Sequence, residues 1–230
     1  MPRTKTILFV LTSHDRLGDT DETTGFYVPE AAHPWHVFTS AGHRVRLVSP
    51  RGGPAPRSGV DRSDPVQREF LDDPDMAAAL ADTLTPDQVD PADYDAILFV
   101  GGHGTMWDFR GNESLARLTA AVHDAGGVVS AVCHGPAGLL DVVLSDGRPL
   151  VEGKEVAAFT NAEEDAVGKT HIVPFLLQTA LEDRGAKHSA APDFEPHVVV
   201  DERLVTGQNP ASATGVAQAV LRILTAGDSR

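Results

Sequence analysis

The sequence predicts an α/β protein with a mostly parallel central sheet, helices on both faces, and a nucleophile elbow at one strand end. Short apolar runs of strand length, such as residues 6–11 and 128–132, alternate with helix-forming segments. Unbroken apolar strands are typical of sheets that are covered on both sides. In addition, the only cysteine, Cys133, lies between one of these runs and a segment that can open a helix at Gly135 and Pro136.

Length and composition restrict the function classes. A chain of 230 residues fits one domain spanning residues 1–230. Its net charge of -14 argues against nucleic acid or an anionic membrane as a partner, because neutralising phosphates requires a basic face. No apolar run reaches the length of a membrane span, and a single cysteine allows no intramolecular disulfide. We therefore expect a cytoplasmic protein.

The first half of the chain contains three predicted strands, each followed by a predicted helix. The strands are residues 6–11, 43–50 and 95–100, and the helices are residues 29–41, a stretch within 72–84 that begins near Pro74, and 112–125. Two polar segments, 12–24 and 51–64, show no periodicity and are expected to be loops.

The second half begins with the strand at 128–132 that carries the cysteine. The further predicted elements are a strand at 151–160, a helix at 174–184, a hairpin over 197–206 that turns at Asp201 and Glu202, and a closing helix at 210–225. In parallel α/β sheets, ligands bind beyond the carboxyl ends of the strands. Residues that follow predicted strands are therefore expected to meet at one rim, and these are Glu30, Gly101, Gly102, Cys133 and Glu164.

Cys133 has the surroundings of a nucleophile rather than of a core residue. An elbow lifts one side chain above the sheet and needs small neighbours two residues away, as Ala131 and Gly135 are. A helix that starts beside the sulfur would favour the thiolate. The competing interpretation is a buried, inert cysteine. The sequence His-Gly-Pro directly after the sulfur favours the reactive interpretation.

A cysteine nucleophile requires a base, a group that orients the base, and donors for a developing oxyanion. His134 is the candidate base and Glu164 the candidate orienting group. The backbone N–H groups of His134 and Gly102 are candidate oxyanion donors. Glu30 supplies a second carboxyl, which is useful if burial keeps it protonated.

Four separated motifs carry a resemblance to a known family. They are VGGHGTMWDF at 100–109, VVSAVCHGPAGL at 128–139, GKEVAAFTNAEE at 153–164 and RLVTGQNPASA at 203–213. Together they resemble the glutathione-independent glyoxalase III branch of the ThiJ/PfpI superfamily, which is similar to the class I glutamine amidotransferase fold. The resemblance implies a flavodoxin-like sandwich, commonly dimeric.

The resemblance also implies roles for particular residues. It implies a Cys-His-acid triad at Cys133, His134 and Glu164, and a further glutamate at Glu30. Glu163 beside Glu164 leaves the register ambiguous, and Glu164 is preferred because it stands five residues after Phe159.

The remaining candidates concern the substrate pocket. The resemblance implies that His103 lies at the pocket rim, next to the strand end at Gly101 and Gly102. Tyr27 and Trp107 are candidate pocket walls, with core or interface packing as the alternative for both.

The implied activity is that of a lyase of the D-lactate dehydratase type. The sulfur of Cys133 would add to the aldehyde of methylglyoxal, a proton would move between the two carbons, and water would release lactate. The resemblance implies no metal, glutathione or other cofactor, and a small carbonyl compound as the substrate.

Several alternatives share the same cysteine. A glutamine amidotransferase places its His and Glu two residues apart near the carboxyl terminus, and no His-x-Glu occurs in this chain. An amidase, peptidase or deglycase stays open, and so does a stress-response chaperone or redox sensor in which Cys133 is oxidised. His33 and His36 share one helical face with Glu30, yet the lack of further ligands favours ordinary histidines over a metal site.

Overall fold

The computed structural model describes residues 3–227, and its centre is a six-stranded sheet. The strand order is β3-β1-β5-β6-β10-β9, in which all pairs are parallel except β10 with β9. The strands are β1 (Thr6–Val10), β3 (Arg44–Val48), β5 (Ala96–Phe99), β6 (Val128–Val132), β9 (Val198–Asp201) and β10 (Leu204–Gly207). The predicted mostly parallel α/β sheet is confirmed.

Two small parallel pairs lie outside this sheet. The first joins β2 (Phe26–Tyr27) to β4 (Arg57–Ser58), and the second joins β7 (Glu155–Val156) to β8 (Lys187–His188). The first pair joins the residues just before the helix at Val28–Ser40, which carries Glu30, to the 51–64 connection. It thereby fixes the start of that helix at the rim of the sheet.

Eight α-helices are described along residues 3–227. They are α1 (Val28–Ser40), α2 (Pro65–Asp72), α3 (Pro74–Ala81), α4 (Thr105–Asp108), α5 (Glu113–Asp124), α6 (Asn161–Ala166), α7 (Leu177–Asp183) and α8 (Ala213–Gly227). Short 3-10 helices occur at Pro86–Gln88, Pro91–Asp93, Gly135–Leu139 and Pro210–Ser212. None of the helices within the described range is long and apolar enough to cross a membrane.

The sheet is buried on both faces because its strands alternate between two hydrophobic clusters. In β1, Ile7 and Phe9 join the cluster under α1 and α8, whereas Leu8 and Val10 join the cluster on the side of α5. The period of two in side-chain direction gives each strand one face in each cluster. The fold is therefore a three-layer sandwich, and the carboxyl ends of its parallel strands share one rim.

Most predicted elements are confirmed within a few residues of their bounds. The predicted strands at 6–11, 43–50 and 95–100 and the helices at 29–41 and 112–125 are all present. The stretch in 72–84 is α3, and Asp73 caps it by accepting a hydrogen bond from the Met76 amide at 2.9 Å. The hairpin turns at Glu202, whose φ is 56°.

The predicted strand at 151–160 is wrong for most of its length. Only Glu155–Val156 is a strand, and it pairs with β8 instead of joining the central sheet. The amides that follow find partners outside a ladder: Ala157 donates to the Thr206 hydroxyl at 2.8 Å and Phe159 donates to the Cys133 carbonyl at 3.0 Å. These bonds direct the segment along the rim towards α6.

Two further differences concern helices. The helix α2 was not predicted, although Asp64 caps it by accepting a hydrogen bond from the Val66 amide at 2.8 Å and Pro65 opens it. Its short sequence, PVQREFLD, is half polar and buries only three side chains. The helix expected after Cys133 is a 3-10 turn of five residues, Gly135–Leu139.

Candidate active site

Cys133 occupies a strained backbone position directly after β6. Its φ is 60°, a region that residues other than glycine seldom adopt, and its amide donates to the Gly207 carbonyl at 2.9 Å. A Cβ on Gly135 would stand 2.2 Å from the Phe99 carbonyl oxygen, so the turn can close only with glycine there. The elbow predicted from the sequence is therefore present, and its residue Cys133 is 4% exposed.

The three side chains of the expected triad form a continuous line. Cys133 Sγ lies 3.2 Å from His134 Nδ1, and His134 Nε2 lies 2.8 Å from Glu164 Oε2. A carboxylate only accepts hydrogen bonds, so Nε2 carries the ring proton and Nδ1 presents its lone pair to the thiol. This is the tautomer that a base for Cys133 needs.

Burial and hydrogen bonding set the protonation states of His134 and Glu164. Desolvation, together with the neighbouring His103, lowers the pKa of His134 to about 4. Burial alone would raise the pKa of Glu164, but the hydrogen bonds from His103 and His134 outweigh it and lower this pKa to about 2. At neutral pH the line therefore holds a neutral imidazole against an ionised carboxylate.

The two adjacent glutamates of α6 have separate partners. Glu163 accepts hydrogen bonds from the amides of Thr160 (3.0 Å) and Phe194 (2.8 Å) and from the side chains of Gln208 (3.1 Å) and Asn209 (2.8 Å). These bonds hold three distant segments of the chain together. Glu164 is the residue that contacts His134, as the spacing from Phe159 predicted.

Glu30 is fully buried on the first turn of α1, beside the Cys133 thiol. Neither of its carboxyl oxygens has a hydrogen-bond partner of ordinary geometry among the described residues. Desolvation raises the pKa of Glu30 to about 8, and the adjacent Cys133 thiol and Gly101 amide offset only part of this rise. Glu30 is therefore a protonated acid near neutral pH, as expected.

The protonation of the thiol differs from the sequence-based expectation. Burial raises the pKa of Cys133 well above its usual value, and the carboxyl of Glu30 acts in the same direction. The short 3-10 turn after the sulfur gives only a weak dipole, because few peptide units align in it. The resting form is a thiol beside a neutral base, not the preformed thiolate that a longer helix would favour.

Gly101 and Gly102 have no side chains, and this lets their backbone pack closely against the groups that surround Cys133. A Cβ on Gly101 would stand 2.3 Å from Glu30 Oε2 and 2.6 Å from the Val132 carbonyl oxygen. Gly102 has a φ of 107°, and a Cβ there would stand 2.4 Å from the Gly25 carbonyl oxygen. Both glycines after β5 are required by close approach of the backbone.

Tyr27 lies near the Cys133 thiol, and Trp107 packs against His14. Burial and the groups of Glu30 and Cys133 raise the pKa of Tyr27, whose amide donates to the Gly101 carbonyl at 3.0 Å. Trp107 instead stacks on His14, with ring centroids 5.1 Å apart. Both rings line a cavity of about 560 Å³ whose lining includes none of the four predicted catalytic residues. That Trp107 walls the substrate pocket stays a prediction.

Two aromatic contacts at the triad were not predicted. His103 Nε2 lies 2.9 Å from Glu164 Oε1, and its ring lies 4.2 Å from that of His134. The ring of Phe159 lies 4.4 Å from that of His134 on another side, and Phe194 lies 6.4 Å beyond Phe159. The Gly-Gly-His-Gly motif indicated His103 but not its partner, and no sequence signal indicated Phe194.

The His33 and His36 pair forms no common ligand set with Glu30. His33 Nε2 contacts the Asp64 carboxylate at 2.9 Å and His36 Nδ1 contacts Glu69 at 3.2 Å. Each ring thus pairs with a different acidic residue of α2 or its cap, and Glu30 is buried beside the thiol.

Comparison with known proteins identifies the family. A sequence profile described as the DJ-1/PfpI family matches residues 23–223. The chain belongs to the DJ-1/PfpI family. Within it, the chain is 35% identical to "Glyoxalase 3" of Candida albicans, over 94% of this chain and 96% of the relative. It is also 35% identical to "Glutathione-independent glyoxalase HSP31" of Saccharomyces cerevisiae, over 93% and 95% of the two chains.

Solved structures of DJ-1/PfpI proteins agree with this assignment. The structure of glyoxalase III from Candida albicans superposes with a TM-score of 0.86 at 31% identity, covering 95% of this chain and 97% of that one. The Rapid Encystment Protein of Francisella tularensis superposes with a TM-score of 0.92 at 37% identity, covering 96% and 99%. The flavodoxin-like sandwich implied by the sequence motifs is confirmed.

Proposed function

We propose that this protein converts methylglyoxal, or a related 2-oxoaldehyde, to the 2-hydroxy acid without glutathione. The single observation that carries the proposal is the pairing of two groups on Cys133. A neutral imidazole faces the sulfur at 3.2 Å, and the fully buried carboxyl of Glu30 lies beside the same thiol. The names of the Candida and Saccharomyces relatives support the same chemistry.

The first step joins the substrate to the thiol. As Cys133 Sγ attacks the aldehyde carbon, the thiol proton passes to His134 Nδ1, and the imidazolium that forms is stabilised by Glu164 at 2.8 Å. The backbone N–H of His134 lies beside the sulfur, and with that of Gly102 it is our candidate donor to the developing oxyanion. Protonation of the oxyanion gives a hemithioacetal, and His134 becomes neutral again.

The second step moves a proton between adjacent carbons. Neutral His134 takes the proton from the former aldehyde carbon while protonated Glu30 gives its proton to the adjacent ketone oxygen, which forms an enediol. His134 then delivers its proton to the neighbouring carbon and Glu30 recovers one from the hydroxyl next to the sulfur, which gives a thioester. Glu30 suits this exchange because its pKa of about 8 lies near neutral pH. Water then cleaves the thioester, which releases lactate and restores the thiol. The sum is methylglyoxal plus water giving lactic acid, with no external oxidant or reductant.

The test is lactate formation from methylglyoxal in the absence of glutathione. We expect turnover by the wild type, loss of turnover to the uncatalysed level in Cys133→Ala, and a decrease of at least about 100-fold in Glu30→Gln, the usual scale for a general acid or base. Glu113→Gln is the matched control, because Glu113 is an exposed glutamate at the start of α5. Its turnover should equal that of the wild type.

Three outcomes would contradict the proposal in different ways. Full activity in Cys133→Ala would remove the covalent mechanism. A wild type that forms no lactate, yet releases product from peptides, amides or glycated thiols through Cys133, would assign the same site to an amidase, peptidase or deglycase. A wild type with no turnover of any of these, whose Cys133 alone gains oxygen from peroxide, would favour a redox sensor.

The proposal includes the setting in which the enzyme works. We propose a single ThiJ/PfpI-like domain over residues 1–230 that forms a homodimer in the cytoplasm. Its only cysteine, Cys133, is free, which suits a reducing compartment. Light scattering behind size-exclusion chromatography measures the assembly, and a monomeric mass at micromolar concentration would contradict the dimer.

A further inference from the structure

Glu164 lies between two imidazoles rather than one. Its Oε2 accepts from His134 at 2.8 Å, and its Oε1 accepts from His103 at 2.9 Å. The two rings are 4.2 Å apart and inclined by 43°. The mechanism proposed above uses only one of these rings, so the second bond of Glu164 has no role in it.

These three side chains form a potential set of metal ligands. One nitrogen from each histidine and one carboxylate oxygen lie within 4.8 Å of one another. Two imidazoles and a carboxylate are ligands that Zn²⁺ binds with bonds of about 2.0 to 2.2 Å, which separates tetrahedral ligand atoms by about 3.3 Å. His134 Nε2 lies 2.8 Å from Oε2 and His103 Nε2 lies 2.9 Å from Oε1 of Glu164. Both spacings are shorter than this separation, so the rings and the carboxylate would move apart as a metal takes the place of the Nε2 protons.

The protonation and exposure of the cluster also suit a cation. Metal binding requires neutral imidazole and ionised carboxylate. Glu164 accepts hydrogen bonds from both rings, as an ionised carboxylate does, and His134 presents an unprotonated Nδ1 to the Cys133 thiol, as a neutral imidazole does. The His103 side chain is 20% exposed, whereas those of His134 and Glu164 are almost fully buried. A cation can therefore enter from the side of His103.

We propose that His103, His134 and Glu164 bind Zn²⁺, and that this binding reversibly inhibits the enzyme. Each histidine would bind through Nε2 and keep its single proton on Nδ1, so no electron is transferred and each ring stays neutral. In His134 that proton would occupy the nitrogen that faces Cys133 Sγ at 3.2 Å. The base could then no longer accept the thiol proton. The inhibition rests on the proposed function, whereas the binding does not.

Calorimetric titration of the full chain with zinc chloride tests the binding. We expect one site per chain, and an affinity at least about tenfold weaker in His103→Asn and in Glu164→Gln. His36→Asn is the matched control, because this half-exposed histidine pairs with the exposed Glu69, away from the cluster. Cys133→Ala should bind as the wild type does, and bound Co²⁺ should show no sulfur-to-cobalt charge-transfer band.

Binding and activity fail in distinguishable ways. A wild type that takes up no zinc, or binding that is lost in Cys133→Ala but retained in His103→Asn, would overturn the site. Turnover that persists at saturating zinc, where chelator-reversible loss is expected, would overturn the inhibition. If the wild type forms no lactate at all, the proposed function fails, and the titration still decides whether this site exists.

Discussion

At the scale of single residues, Glu30 shows how a group suited to proton transfer lowers stability. The folded protein keeps a proton on Glu30 up to a pKa of about 8, whereas an unfolded glutamate loses it near 4.5. Between these two values the unfolded chain binds fewer protons than the folded one, so this group makes stability fall as pH rises. The opposite sign holds for Glu164, whose folded pKa of about 2 lies below 4.5.

Glu30→Gln is therefore expected to be more stable than the wild type at neutral pH, although it loses activity. The wild type should lose free energy of unfolding relative to the variant by about 1.4 kcal/mol per pH unit, or roughly 3 kcal/mol between about pH 5.5 and 7.5. Urea unfolding of both proteins at these two pH values measures the difference, in which the other titrating groups cancel. A difference that does not change with pH would show that Glu30 is ionised in the folded state.

Substitution of Gly101 should reduce catalytic activity strongly while lowering the stability of the fold only moderately. A methyl group there would press on Glu30 Oε2 and on the rigid Val132 carbonyl. We expect Gly101→Ala to reduce kcat/KM at least about 100-fold, with a decrease of about 1 to 3 kcal/mol in the free energy of unfolding from overpacking. Gly215→Ala is the control, because its nearest neighbour is a side-chain methyl of Val198 at 3.0 Å. Equal activity losses in both variants would argue against a specific role of Gly101.

At the scale of elements, the buried parallel strands and the cysteine turn could be predicted, because their signals are local. Apolar runs, caps and glycine stops identify β1, β5, β6 and α5 without tertiary information. The helix α2 spans only eight residues, of which four are polar, and this is too short a stretch for its apolar spacing to stand out from the 51–64 loop that precedes it. The segment 157–160 reads as a strand, but tertiary hydrogen bonds to Thr206 and Cys133 decide its course.

The same distinction applies to the site. Cys133, His134 and Glu164 could be proposed because the first two are adjacent and the third falls in a recognisable motif. The bond between His103 and Glu164 joins residues 61 positions apart, and local patterns do not encode such contacts. The position of Trp107 against His14 depends on how the 12–24 loop folds, which its sequence does not predict.

The short helix α6 positions the carboxylate of Glu164, which orients His134. The effect of removing its N-terminal cap can be compared with that of removing the cap of α5. The Thr160 hydroxyl accepts from the Glu163 amide, and the Glu163 carboxylate accepts from the Thr160 amide. We expect Thr160→Ala to lower stability by about 1 kcal/mol and also to lower kcat several-fold, because Glu164 lies on this helix.

Asn112 caps α5, because its side chain accepts a hydrogen bond from the Leu115 amide at 3.0 Å. The substitution Asn112→Ala removes this cap. Its stability should fall by a similar amount of about 1 kcal/mol while kcat stays unchanged. Chemical denaturation and steady-state kinetics on both variants make the comparison. Equal kcat values in Thr160→Ala and Asn112→Ala would contradict the role of α6 in positioning Glu164 for catalysis.

At the scale of the whole molecule, the net charge of -14 opposes compaction. Self-repulsion of this kind weakens when salt shortens the range of electrostatic forces. Raising sodium chloride from about 0.01 M to about 0.15 M shortens the Debye length from about 30 Å to about 8 Å. We therefore expect Tm to rise by a few degrees over this range, measured by circular dichroism. A falling Tm would indicate that surface ion pairs outweigh the repulsion.

The single buried cysteine also allows local opening of the protein to be measured by chemical labelling. A maleimide too large for the closed site can reach Cys133 only during transient openings, since its side chain is 4% exposed. With no second cysteine in the chain, every labelled molecule records one such event. Labelling kinetics therefore give the frequency with which the rim around the elbow opens, without any introduced probe.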